Sequence, residues 1–336
     1  MKKMKYRITK IVVILLALLP LHADQFALWL YNDAFAQTDR YFTNGLGLSW
    51  NDDTFSNPKE SNVTAYSRWM YELVDTISFG QMDSSQNHTA GIGVSQIMIT
   101  PDDLTLSQPQ YDDVPYMGYL ALSFYLFEWD NRSFREYRIQ AGVVGKESGA
   151  KWVQKTAHKI LGDTEPKGWD TQLGTQWMFN VLYRQGYKSW RYQSANGLQM
   201  DWFNHFGFQA GNYMTSLFAG TVFRLGQNYM ENFNVSYPIL NEEASMLHPY
   251  GEHHGFGWSL SVGIDTEVVL YSYFCDESQK EGYGVDDRTF NALPYLGASL
   301  YYDEHTFTLF YQAQTFSLNG KNKTEIFGGF KYDIRF

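Results

Sequence analysis

Two short stretches of this chain gather side chains that an inert scaffold does not need. Asn32-Asp33 is followed by Thr38-Asp39-Arg40-Tyr41-Phe42-Thr43-Asn44-Gly45, and far along the chain Ala157-His158-Lys159 stands in a lysine-rich run. Imidazole suits the role of a base near neutral pH. A hard cation held by Asp33 and by carbonyl oxygens would supply positive charge for a developing oxyanion. The pair amounts to machinery for hydrolysing an ester, with His158 deprotonating water and Asn32, Asp33 and Thr43 coordinating or orienting. No covalent acyl-enzyme is then required. Lys146, Lys151, Lys155, Lys159 and Lys167 flank His158, and such a patch could hold phosphates as point charges.

Each of these residues also has a plainer use. A lone loop histidine is most often a solvated surface group. Asn-Asp at a strand end is common turn chemistry, and lysines on an amphipathic helix usually form a solvated face. Thr43-Asn44-Gly45 could simply start a strand. His248, His253 and His254 match no metal-ligand spacing and read as a turn at the opposite end of the molecule.

The elements that must position these groups are strands. Past residue 24 the dominant pattern has period two, which sends successive side chains to opposite faces of a sheet. Phe330, Tyr332, Ile334 and Phe336 share one face, with Lys331, Asp333 and Arg335 on the other; Leu46, Leu48 and Trp50 oppose Gly45, Gly47 and Ser49. The chain has 336 residues and is 18% aromatic, yet its mean hydropathy is −0.38. That combination fits a sheet with one lipid-facing side, which has to close on itself because backbone groups in lipid must pair internally. The fold expected is all-β, a twelve-stranded antiparallel transmembrane barrel with strands at 25–31, 44–52, 90–100, 115–129, 134–145, 174–188, 196–209, 212–226, 256–272, 291–303, 305–317 and 324–336. An even count puts both termini on the periplasmic side. Loops 32–43, 101–114, 146–173, 210–211, 273–290 and 318–323 then lie outside, and one of them carries a short amphipathic helix from Lys151 to Gly162, with Val153, Ala157, Ile160 and Leu161 at helical spacing. Stretches 53–89, 130–133, 189–195, 227–255 and 304 fall on the periplasmic side.

One apolar run of membrane-spanning character stands at the extreme N-terminus. Lys2, Lys3, Lys5, Arg7 and Lys10 precede Ile11 to Leu21, and Leu21-His22-Ala23 is a cleavage site, so 1–23 reads as a signal peptide and 24–336 as the barrel domain. Cys275 is the only cysteine, which excludes an internal disulfide. A net charge of −10 argues against nucleic acid as a partner. Strict alternation from Phe26 puts Asn32 on the lipid side and Asp33 on the lumen side, so one site can use both only if that strand bends or bulges at the rim.

The stretch NDxFxxTDRYFTNGLGLSW from Asn32 resembles the opening motif of the outer-membrane lipid A 3'-O-deacylase family (LpxR). The likeness continues through Ser95-Gln96, Thr100-Pro101 and Ala157-His158, and more loosely through Gly226-Gln227-Asn228 to the C-terminal strand. It implies a twelve-stranded barrel that hydrolyses the 3'-linked acyloxyacyl ester of lipid A in the outer leaflet with calcium, at a site between the barrel wall and an outer-loop helix. The family's site residues fall on Asn32, Asp33, Thr43 and His158; the residue types add Asp33 as the metal ligand and Lys151, Lys155 and Lys159 as the lysines beside the substrate. An acidic residue that some members carry six positions after the histidine is here Thr164, between Asp163 and Glu165, so Asp33, Asp163 and Glu165 all stay open as the carboxylate that supports the base. A lysine-arginine pair of some members has no counterpart in Asp102-Asp103-Leu104-Thr105-Leu106. The expected partners are lipopolysaccharide and outer-membrane lipid, and the expected state is a monomer.

Two other classes compete. A non-enzymatic pore or structural barrel explains the alternation but not the helical outer loop beside a polar strand end. A serine lipid hydrolase would need a nucleophile, and no serine lies between Asn32 and Gly47 and no G-x-S-x-G occurs.

Overall fold

The computed structural model describes residues 23–32, 41–230, 233, 253–286, 289–318 and 320–336. The expected signal peptide, save Ala23, lies outside the described residues, as do Asp33, Thr38, Asp39, Arg40 and His248.

Period-two patterning produces twelve long antiparallel strands. They are β1 (Ala23–Asn32), β2 (Tyr41–Asp52), β3 (Asn87–Thr100), β4 (Met117–Trp129), β5 (Ser133–Val144), β6 (Gln176–Gln193), β7 (Leu198–Gly211), β8 (Met214–Gln227), β9 (Phe256–Ser272), β10 (Phe290–Tyr302), β11 (His305–Leu318) and β12 (Lys321–Arg335). Each pairs with the next, and β12 pairs with β1, Phe26 opposite Ile334 and Asn32 opposite Gly328. The sheet is thus a closed barrel with no unpaired edge, as the hydrocarbon layer demands. A two-residue strand, Val285–Asp286, adds to β11 at the outer rim.

Alternation sorts the side chains as expected. On the outside, Val181, Leu217, Val262, Ile264, Leu296 and Leu309 are exposed. Aromatic residues cluster near the strand ends, Trp177 and Phe290 at the outer level and Trp190 and Tyr302 at the inner. The interior is filled. Glu136 is held between Arg138 and Arg184, and Arg224 grips Asp201. Trp29, Tyr31, Phe218, Tyr295 and Phe310 pack beside these pairs. Loop residues close over both ends: Tyr213 stacks on Tyr119 at the outer mouth, and Tyr229 and Met230 pack on Tyr301 at the inner one.

Among the described residues three α-helices interrupt the loops: α1 (Ala65–Ile77), α2 (Ala150–Leu161) and α3 (Tyr273–Lys280). Only α2 was read from the sequence, one residue later than it forms. The stretch 53–89, expected to be a plain periplasmic connection, instead holds α1, which Thr64 caps by accepting from Ser67 N and whose buried face carries Met70 and Val74. His253, in the turn between β8 and β9, sits between two carbonyls, Asp303 O at 3.1 Å and Asn228 O at 2.6 Å, as a turn residue rather than a metal ligand.

Candidate active site

The outer rim of the first four strands carries the site residues, and register shows how. Asn32 on β1 lies opposite Asn44 on β2, and Asn44 opposite Met98 on β3. All three belong to the lipid-side parity, with Leu30, Leu46 and Gln96 next below them. The expectation for Asn32 is met; Asp33 falls outside the described residues. Between Phe42 and Asn44 the pairing slips by one, leaving Thr43 as the extra residue of a β-bulge. The bulge lies on β2; β1 itself is regular from Gln25 to Asn32, and the bend expected between Asn32 and Asp33 falls outside the described residues. Bulges at barrel rims re-aim the chain beside active sites.

Helix α2 lies on the outside of the wall next to this row. A Cβ on Gly118, a lipid-side position of β4, would fall 2.3 Å from Ser148 Oγ and 2.4 Å from Ala150 Cβ. Only glycine there lets the helix start so close to the strand. Gln96 Nε2 donates to Ser148 O at 2.6 Å, and Met98, Leu104, Tyr116 and Trp169 receive Ala150 and Val153. Trp169 is fully buried and donates from Nε1 to Gln154 Oε1 at 2.6 Å, which pins the middle of the helix. Ile160 and Leu161, read from the sequence as part of the packed face, are 79% and 78% exposed. The seat is made by the first turns alone, and the end of the helix projects past it.

That projecting end carries His158. Gly162, at φ 73°, ends the helix in the left-handed conformation and returns its N–H to His158 O. The chain doubles back, and His158 Nδ1 comes to 2.6 Å from Thr164 O. A carbonyl can only accept, so Nδ1 carries the hydrogen and Nε2 keeps the lone pair. That is the tautomer a general base needs. The nearest carboxylate, Asp163, stands 3.9 Å from Nδ1 and also accepts from Thr164 N. Glu165 is turned away to Lys155 at 2.8 Å. Of the three carboxylates left open by the sequence, the two described ones do not orient the ring; the backbone carbonyl of Thr164 does.

The lysines are arranged differently from a bare cationic patch. Lys151 pairs with Asp170 at 2.5 Å and Lys155 with Glu165 at 2.8 Å, while Lys159 makes no ion pair among the described residues. Hydrogen bonds from those lysines, and their charge, hold Asp170 and Glu165 below the ordinary carboxylate range. The two pairs fasten the loop to its helix, and Lys159 is left facing outward.

No three His, Cys, Asp or Glu side chains cluster as a metal site among the described residues. What the rim does offer is oxygen: Asn44 Oδ1 is buried with no donor among the described residues, in the row next to Asn32. Orphaned amide oxygens of this kind suit a hard cation. The sequence reading missed the particular parts played by Asn44, Gln96, Gly118, Trp169 and the Thr164 carbonyl.

A closed twelve-stranded barrel with lipid-facing walls, carrying a helix and a polar row on its outer rim, defines a multi-pass protein of the bacterial outer membrane. The family model "Outer membrane protein LpxR" matches residues 11–336, and the chain belongs to that family. LpxR from Salmonella typhimurium is similar in structure at 16% identity, with 93% of this chain and 100% of that one covered and a TM-score of 0.73. The beta domain of the Bordetella autotransporter Brka matches over 94% of this chain and 100% of its own at 9% identity and a TM-score of 0.45. No curated protein matches.

Proposed function

We propose that the protein is a lipid A 3'-O-deacylase, hydrolysing the 3'-linked acyloxyacyl ester in the outer leaflet. The observation that carries this reading is the position of His158: on a helix outside the barrel, at the level of the outer rim, with Nδ1 committed to Thr164 O and Nε2 left as the base. An ester at the edge of the acyl layer can reach such a group laterally from the membrane, without entering the lumen.

In the proposed reaction His158 Nε2 takes a proton from water as the water oxygen attacks the ester carbon. The carbon–oxygen bond to the sugar then breaks, and the proton held on His158 passes to the leaving alkoxide. Positive charge is needed for the oxyanion. A calcium ion, when bound, supplies that charge. Asn32, Asp33 and Asn44 are the residues that would hold it, with Thr43 at the bulge beside them. Lys159 is the cation open to a lipid phosphate, while Lys151 and Lys155 would act mainly by holding the loop.

The filled interior supports this reading over a pore. Buried ion pairs cross the lumen, Glu136 with Arg138 and Arg184 and Asp201 with Arg224, where an open pore would need a water-filled path. Mass spectrometry of lipid A from cells with and without the protein tests the proposal: loss of the 3' acyloxyacyl unit is expected, and unchanged lipid A from cells that hold the folded barrel overturns it.

A further inference from the structure

The strands that seat α2 at the outer rim carry a second helix at their other end. Ala90 on β3 and Leu126 on β4 have lipid-side parity, yet both are fully buried, packed with Met70 and Val74 of α1. One step further from the periplasm, Ile92 and Phe124 are only half-buried, where the lipid-facing band begins. Helix α1 therefore lies on the outer wall at the lower edge of that band rather than beneath the barrel mouth. Its first turn is clipped to the end of β2, where Thr64 Oγ1 and Ser67 Oγ both donate to Asp52.

At 100° per residue the helix has three distinct sides. Ser67, Met70 and Val74 face the wall. Tyr66, Trp69, Leu73 and Ile77 make one flank, and Arg68, Glu72 and Asp75 the other. Ring contacts show which flank faces which way. Tyr66 and Trp69 each meet Phe124 at 6.3 Å, toward the bilayer, whereas Tyr71, beside the polar flank, meets His88 at 5.0 Å, toward the strand ends. The apolar flank thus continues the lipid-facing band, and the polar flank turns to the periplasm. Trp69 and Ile77 remain 48% and 57% exposed. Burial of such groups in the interface, with a tryptophan at headgroup level, is the usual arrangement of a helix lying in a membrane plane.

We infer that α1 is an in-plane anchor seated in the periplasmic leaflet, with Trp69, Leu73 and Ile77 against phospholipid acyl chains and Arg68, Glu72 and Asp75 in the aqueous headgroup layer. Being packed on β3 and β4, it ties the height of those strands to the inner leaflet, and α2 stands on the same strands. This inference does not depend on the proposed reaction.

The test uses the full-length barrel with Cys275→Ala and a single new cysteine, Ile77→Cys or Glu72→Cys, labelled with an environment-sensitive fluorophore and refolded into phosphatidylethanolamine–phosphatidylcholine vesicles. Heat-dependent gel mobility verifies each barrel. The label at 77 should be quenched several-fold more than the label at 72 by lipid carrying a nitroxide on its acyl chain, and the order should reverse with aqueous iodide. The comparison holds for either orientation in the vesicle. Equal quenching at both positions, or iodide access at 77 like that at 72, overturns the anchor. Should Ile77→Cys fail to give a heat-shifting barrel, Trp69→Cys on the same flank gives the same reading.

Discussion

Helices α1 and α2 rest on the same two strands, at opposite ends of one wall, and are fastened in different ways. α1 has hydrogen bonds to the wall in its first turn, from Thr64 and Ser67 to Asp52 and from Tyr66 to Gly91 O, and beyond that turn is held by burial of Met70 and Val74 against Ala90 and Leu126, leaving a tryptophan and an isoleucine for the surroundings. α2 is held by directional contacts: the close approach at Gly118, the Gln96 bond to Ser148 O, the Trp169 bond to Gln154, and the Lys151 and Lys155 ion pairs. Burial is non-directional and tolerates small shifts, which is enough for an element that only has to stay in place. Hydrogen bonds fix angle as well as distance, which an imidazole needs if it is to meet an ester in a set orientation.

The comparison can be broken most severely by removing the cation. Chelation should bring deacylation of purified lipid A to background, with calcium restoring it and the heat-shifted band unchanged; Asp33→Ala should show the same loss at every calcium concentration. Full turnover in chelator would sink the proposed charge on the oxyanion.

Next in size is the base. His158→Ala should fold and insert normally and lose about 100- to 10,000-fold in turnover, the usual range for a general base. Asp170 and Glu165 are held below the ordinary carboxylate range, so pairing that is present at neutral pH is lost only as pH falls through their lowered values. Mild acidification therefore leaves the loop fastened.

The seat of α2 gives an intermediate effect. Gly118→Leu forces the first turn of the helix off the wall, and a displacement on the order of 1 Å can cost about a hundredfold in rate. The matching change under the other helix, Val74→Ala, should lower the unfolding temperature and leave turnover in detergent–lipid A micelles as it was. If both variants cost the same activity, the division between an anchoring helix and a catalytic one is wrong. The smallest effect belongs to Lys155→Ala, which breaks one exposed ion pair. It should change kcat/KM by less than about tenfold. A larger loss, carried mainly by KM, would return Lys155 to direct contact with substrate.

Much of the fold was legible because alternation is a local property. Each strand's two faces can be read from its own residues, and all twelve strands form within a few residues of the sequence reading, the largest shift being the extension of β6 to Gln193. The α2 helix was legible for the same reason, from spacing and from Gly162. The α1 helix was present in the same kind of signal, Thr64 followed by Met70 and Val74, but a long periplasmic connection was not read for it.

The site was legible only in its residue types. Sequence alone set the alternating wall, the even closure, the export signal as an expectation, and the pairing of a rim motif with a histidine on an outer-loop helix, because each depends on neighbours a few positions apart. Tertiary structure decided the rest. It placed α2 outside the wall rather than over the lumen, put the bulge at Thr43, spent Lys151 and Lys155 on ion pairs, and oriented His158 with the carbonyl of Thr164 instead of a carboxylate. The physical reason is distance along the chain: Gly118 meets Ala150, and Gln96 meets Ser148, only after four strands have closed in register, and nothing local to any of those residues encodes the meeting.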